Sequence, residues 1–471
     1  MAIRALPLLA LVPALYASAP PPGAWVPMRW PWNEVRSLDL ASGTPINCLL
    51  LKTYRPELVA AARQRGIATL AVISPGGDTL AAARAAHSAG LTGVVLEGDF
   101  PEGAAASVRE PLAGAPVIEL TARSRMPLGS NAPVIGTYQG VWPGVAVEDD
   151  GAKKSGPTGS VWIDTNTGFI RAVRAWGDAA LWIANKPPEK TVVTGTRYLQ
   201  AIADAAASGA RWVIALDDDF ATRLERRDDA ALGDWRRMMQ LEGYFEHHPE
   251  WSKMHEFGRL AVVQDPAKGG LLSGGILDMI AVKHTPVRPV PRQHLSADAL
   301  KGATMAVNVD AEALTPEERE VLRGFARGGG TLLTGPPGWK DRSPGGDRIT
   351  LEKAELERLN DIWRDVNSMV GRRNLGVRLF NVSSMLSNVL VSDDGKTAIV
   401  HLVNYSDYPI ENVTAHIMAD YTRATLLTAD GGEKPLETYK TEDPSWTGEP
   451  QPALGVDIEK VAVCATIKLE R

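Results

Sequence analysis

The sequence predicts an α/β protein in three parts: a (β/α)8 TIM-like barrel, a flavodoxin-like α/β layer, and a C-terminal antiparallel β-sandwich. Three observations carry that expectation. Short apolar runs alternate with amphipathic helices that end in glycine, a rhythm of parallel strands joined by right-handed crossovers. It persists for about 250 residues, the size of a TIM barrel. Over the last hundred or so residues the pattern changes to two-residue alternation, the mark of half-buried antiparallel strands.

The barrel is expected over 20–255. Its strands are read near 46–52, 67–74, 91–97, 116–121, 133–138, 160–164, 180–185 and 211–217. The helices between them include "RPELVAAARQRG" and "DTLAAARAAHSAG", each with glycine where a helix C-terminus needs it. A doubly wound open sheet is the alternative, but eight strands without a nucleotide fingerprint fit a barrel better. The second unit, 256–370, opens with the buried run "RLAVVQDP" and includes "TPEEREVLRGFARGG". In that stretch Thr315 reads as N-cap, Pro316 as N1 and Glu318 as N3, a capping box. No glycine-rich turn followed by Lys-Ser/Thr is present, so the layer is not read as nucleotide-binding. In the third unit, 371–471, "NVLVSDDGKTAIVHLVNYS" places Asp394-Gly395 between two alternating runs, a hairpin signal.

Bulk properties narrow the function. A chain of 471 residues is too long for one core. Its net charge of -6 and lack of a basic, aromatic-interleaved patch exclude a duplex nucleic-acid binder. The N-terminus "MAIRALPLLALVPALYASA" has Arg4, an apolar run too short to span a bilayer, and small residues at 17–19. Residues 1–19 are therefore expected to be a signal peptide, and the mature protein secreted or periplasmic. Cys48 and Cys464 fall in different units, so no internal disulfide is expected, and no Cys/His spacing suits zinc. Neither a metal nor an organic cofactor is indicated.

The stretches "LTPEEREVLRGFARGGGTLLTGP" (314–336) and "KTAIVHLVNYSD" (396–407), within the order barrel, small α/β layer, β-sandwich, resemble family-42 β-galactosidases and related glycosyl hydrolases. The resemblance implies a carbohydrate ligand and oligomerisation, as a trimer or dimer, through the middle layer. It also implies an Asn-Glu pair after the fourth barrel strand and a Glu after the seventh. Here the only Asn-Glu pair, Asn33-Glu34, precedes the first strand read above, and the seventh ends in Ala184-Asn185-Lys186. No catalytic residue is carried over.

Chemistry in such barrels sits at the C-terminal strand ends. Those ends carry Lys52, Glu97, Asp99, Glu119, Tyr138, Asp164, Asn166, Asn185, Lys186 and Asp217 to Asp219. Glycoside hydrolysis needs two carboxylates across the sugar bond, and Asp164, Asp217 and Glu97 are the candidates. In "LDDDF" side chains alternate, so Asp217 or Asp219 can face the cleft but not Asp218 as well, and one of the three is an N-cap. Asp164 is as readily the cap of the next helix as a site acid. Asn166, Asn185, Lys186 and Asp219 are candidates to bond sugar hydroxyls. Trp32 and Trp142, with Trp30, are candidates to stack on sugar faces. The expected activity is that of a glycoside hydrolase. The rival reading is a non-catalytic carbohydrate-binding or assembly protein on a degenerate glycosidase barrel.

Overall fold

The computed structural model describes residues 19–112, 114–147, 153–157, 161–265, 275–280, 285–309, 314–335, 353–370, 376–443 and 451–471. Residues 1–18, most of the expected signal peptide, lie outside them. The barrel wall consists of β1 (Pro27–Arg29), β2 (Cys48–Leu51), β3 (Ala68–Ile73), β4 (Gly93–Glu97), β5 (Val117–Thr121), β6 (Val134–Thr137), β7 (Ala180–Ile183) and β8 (Arg211–Trp212), paired in parallel in chain order. The ring closes where Met28 bridges Ile214. There Arg29 N–H donates to the Ile214 carbonyl at 2.8 Å, and Ile214 N–H to the Pro27 carbonyl at 3.1 Å.

Two strands differ from the sequence expectation. The barrel opens with β1, in a Pro- and Trp-rich lead-in, so the run at 46–52 is the second strand. The segment at 160–164 is not a wall strand: Val161–Ile163 forms a 3-10 turn. Val161 packs on the outer core of the barrel and Trp162 against the middle layer, while Ile163 is left exposed. Three successive side chains thus go to three environments, which a strand with two faces does not offer.

Alternation along the wall sets what lies inside. Trp25, Cys48, Leu50, Leu70, Val95, Ile118, Leu120, Val134, Trp182 and Ala184 form the interior cluster. Trp25 closes the lower end, its indole N–H donating to the Pro20 carbonyl at 2.7 Å. Helices α1 (Pro56–Gln64), α2 (Thr79–Ser88), α3 (Ala104–Arg109), α4 (Thr167–Arg174), α5 (Gly195–Ala206), α6 (Asp218–Glu225) and α7 (Asp229–Glu246) follow their strands, and their apolar faces join the large outer core.

The middle layer is a parallel sheet of β9 (Leu260–Gln264), β10 (Val287–Pro291), β11 (Met305–Asn308) and β12 (Thr331–Thr334), in the order β10-β9-β11-β12. Helix α8 (Pro316–Arg327) begins with the expected capping box of Thr315 and Glu318. One face of this sheet packs with Leu359 and Ile362 and reaches Ala172 of the barrel. The C-terminal sandwich has a six-stranded and a four-stranded antiparallel sheet. Its expected hairpin joins Met385–Val391 to Thr397–Asn404.

A polar seam ties the sandwich to the barrel. Tyr405 Oη donates to Asp204 at 2.6 Å, and Gln200 Nε2 donates to the carbonyls of Asn404 (3.0 Å) and Ser406 (2.9 Å). Burial raises the Asp204 carboxyl even against hydrogen bonds from Thr165, Tyr405 and Asn166. At the lower end Glu242 is buried in α7. Burial, helped by Glu246, pushes its carboxyl up to about 8, with Arg211 pulling the other way. Arg211 itself forks onto Glu246 at 2.6 and 2.8 Å.

Candidate active site at the barrel mouth

Glu97, the last residue of β4, follows the inward-facing Val95 by two positions and therefore enters the barrel mouth. Arg29, the last residue of β1, reaches it from across the ring. Its Nη1 donates to Glu97 Oε2 at 2.8 Å and its Nη2 to Oε1 at 2.7 Å, while Nη2 also reaches the Ala184 carbonyl at 2.8 Å. Lys186, beyond β7, adds its ammonium 3.3 Å from Oε1. Burial alone would raise the Glu97 carboxyl. The Arg29 hydrogen bonds and charge, with those of Lys186, outweigh it and hold Glu97 below the usual carboxylate range. Glu97 is therefore an ionised, oriented carboxylate in a site largely closed to water.

Beside it, Asp99 accepts a hydrogen bond from Tyr138 Oη at 3.0 Å and lies 3.4 Å from Arg125. Gly98 between the two acids has φ +123°, and a Cβ there would come within 2.9 Å of the Pro75 ring. Only glycine lets the chain turn over β3 and present Glu97 and Asp99 to the same mouth. Gly140 has a related role. Its missing side chain leaves room for Asn185, whose Cγ would lie 2.6 Å from a Cβ there.

The other sequence candidates separate from this cluster. Asp217 caps α6: its Oδ1 accepts from Phe220 N–H at 3.0 Å, and its Oδ2 from Tyr198 Oη at 2.5 Å and Val193 N–H at 3.3 Å. Burial and the Asp217 bond raise the Tyr198 hydroxyl far above its ordinary value, so it stays a donor. Both Asp217 oxygens are thus occupied. Asp218 and Asp219 occupy the first turn of α6, and Asp219 pairs with Arg223 at 3.6 Å.

Asp164 is buried away from the wall, within the field of Arg197 near the sandwich. Asn166 holds the loop at Val141 and bonds Asp204 and Arg123. Asn185 donates to the Val141 carbonyl at 3.2 Å. Glu119 faces outward to Arg109 at 3.0 Å.

The tryptophans are occupied by packing. Trp32 meets Trp30 edge to face at 4.9 Å and donates to the Ala221 carbonyl. Trp142 is wedged between Tyr198 and Trp212. Both are buried, so neither offers an open ring face to a sugar.

The mouth thus gathers Glu97 and Lys186 from the sequence candidates and adds Arg29, which the sequence reading did not single out because β1 was not read as a strand. A cleft of about 910 Å³ opens elsewhere, between the strand-start residues Val26 and Asn47, helix α7 and the turn at Asp430. Strand starts in such barrels carry stability and strand ends carry chemistry, so the mouth is the better candidate despite the size of that cleft. Among the described residues, no group of three or more His, Cys, Asp and Glu side chains converges as a metal site. None of the described helices is long and apolar enough to cross a membrane.

The sequence matches no family model and no curated protein. Solved structures do match. Alpha-L-fucosidase isoenzyme 2 from Paenibacillus thiaminolyticus superposes with a TM-score of 0.60 at 9% identity, covering 93% of this chain and 95% of its own. An exo-carrageenase, GH42, from Bacteroides ovatus matches at a TM-score of 0.40 and 10% identity, and this chain spans about half of it, covering 78% of this chain and 54% of that one. A β-galactosidase from Halorubrum lacusprofundi matches at 0.32 and 13% identity, with 86% and 66% covered. The last two scores are too low to favour family 42 over other glycoside hydrolases. The fucosidase match, extending over nearly the whole of both chains, establishes for this protein a glycoside-hydrolase-like TIM-barrel fold.

Proposed function

We propose that this chain is a carbohydrate-active protein of the glycoside-hydrolase type, working at the barrel mouth with Glu97 as its central carboxylate. One observation carries the reading: a strand-end glutamate inside the ring is kept ionised and fixed by a bidentate arginine from the opposite wall. Such a group can stabilise the cationic sugar carbon that forms as a glycosidic bond breaks. It cannot be the proton donor, because its pKa lies below the ordinary range. Asp99, which accepts from Tyr138 and lies 3.4 Å from Arg125, is the second carboxylate of the mouth. The fold shared with an α-L-fucosidase supports the class of reaction and leaves the sugar open. Export, removal of residues 1–19 and assembly through the middle layer belong to the same proposal.

A panel of aryl glycosides assayed with the parent and Glu97→Gln tests it. Turnover is expected on at least one glycoside, with a loss of at least about 100-fold in the variant. Equal turnover by the two would remove Glu97 from the mechanism. A second reading, a sugar-binding protein without hydrolysis, is favoured by the Arg29 clamp on Glu97 and by the capping role that occupies Asp217. Binding of oligosaccharides with no turnover of any glycoside would select it.

A further inference from the structure

The charges of the mouth do not balance around Glu97. Arg29 and Lys186 both bind it, so two cations share one carboxylate, in a cluster where Arg29 and Glu97 are only 15% and 12% exposed. Asp99 does not make up the difference, since Arg125 and Tyr138 engage it. Arg29 Nε is buried without a hydrogen-bond partner. Lys52, the residue after the end of β2, stands at the rim and is exposed, with no ion pair among the described residues. The excess falls on Lys186 and Lys52, which are exposed and so placed to pair with an anion from solvent. In addition, Trp30, Trp32 and Trp142 are buried and offer no open ring face to a neutral sugar.

We infer that the mouth takes a glycan bearing an anionic substituent, a carboxylate or a sulfate ester, which pairs with Lys186 and Lys52. The inference rests on the mouth being the carbohydrate site, and adds the charge class of its ligand. Lys186, 60% exposed and bonded to a single Glu97 oxygen, has ammonium hydrogens left to donate outward. The Arg29 fork neutralises Glu97, so the carboxylate does not repel the incoming anion.

Calorimetric titration with three glycan probes tests this, a galacturonate trisaccharide, a sulfated galactose oligosaccharide and a neutral galactose oligosaccharide, with inorganic sulfate as a fourth, each at low and high salt. One charge-assisted hydrogen bond changes affinity about 10- to 100-fold. At least one anionic probe is expected to bind about tenfold or more tighter than the neutral one, and to weaken as salt rises. Whichever of the two binds tighter identifies the anion. Lys52→Gln and Lys186→Gln, both at exposed side chains, are expected to weaken that probe about tenfold each at an unchanged melting temperature. Neutral and anionic sugars binding equally would overturn the inference and leave the carbohydrate reading intact. Inorganic sulfate binding at the mouth, lost in both variants, with no glycan binding, would support the anion site and overturn the carbohydrate reading. No binding of any probe would overturn both.

Discussion

Replacing Glu242 with glutamine removes a buried acid that titrates in the physiological range. Glu242 has an ordinary value of 4.5 that burial and Glu246 push up to about 8 in the folded protein. Between those values the folded protein holds a proton that the unfolded chain has released. Stability therefore falls as pH rises from about 4.5 to about 8 and levels off above that. Each pKa unit corresponds to about 1.4 kcal/mol, so the full shift sets an upper bound of roughly 5 kcal/mol. Relaxation around the charged group lowers this to about 2–4 kcal/mol, and at about 2–4 °C per kcal/mol for a unit of this size the melting temperature moves by roughly 4–16 °C.

Glutamine keeps the shape and carries no titrating proton. Arg211 keeps its partner in the variant, because its fork is on Glu246. Scanning calorimetry of parent and Glu242→Gln from pH 5 to 8.5 measures the difference. The two should melt together near pH 5, and the variant should melt higher by pH 8. A difference that stays constant across the range, or a variant that melts lower at pH 8, would refute the reasoning.

Asp217→Asn should retain turnover on any glycoside the parent cleaves and lose about 1 kcal/mol in a melt, because asparagine still caps α6 but binds Tyr198 less well. A loss of turnover comparable to that of Glu97→Gln would return Asp217 to the catalytic set. Tyr405→Phe should cost about 1–3 kcal/mol by chemical denaturation, since Asp204 loses a buried donor at the barrel–sandwich seam; an unchanged denaturation midpoint would contradict the seam's role. Intact-mass measurement of protein recovered from outside the cytoplasm should show a chain beginning at Pro20, and retention of Met1 in that fraction would contradict export.

Local chemistry made much of this fold legible in the sequence. The capping box at Thr315 and Glu318 and the hairpin at Asp394-Gly395 are decided by neighbouring residues, and both occur as read. Apolar periodicity located seven of the barrel strands. It failed at Pro27–Arg29, where three residues are too few to show a period and proline argues against a strand. It failed again at Val161–Ile163, where three successive apolar side chains go to separate environments rather than to the two faces of a strand.

The site was legible only in part. Glu97 stood out as a strand-end acid. Its clamp, Arg29, lies 68 residues away in sequence and is brought to it by barrel closure. The three aspartates at 217–219 drew attention as a charge knot, yet Asp217 serves mainly as a helix cap and an anchor for Tyr198. The tryptophans misled for a physical reason: their positions in loops did not reveal that their rings are buried in the outer core.

The most direct test of the barrel-mouth site is a crystal structure of the Glu97→Gln variant soaked with the tightest-binding oligosaccharide. The account predicts a sugar ring within hydrogen-bond distance of residue 97, with Lys186 on one of its substituents. A sugar seated instead in the cleft beside Asp430 and helix α7, with the barrel mouth empty, would contradict it.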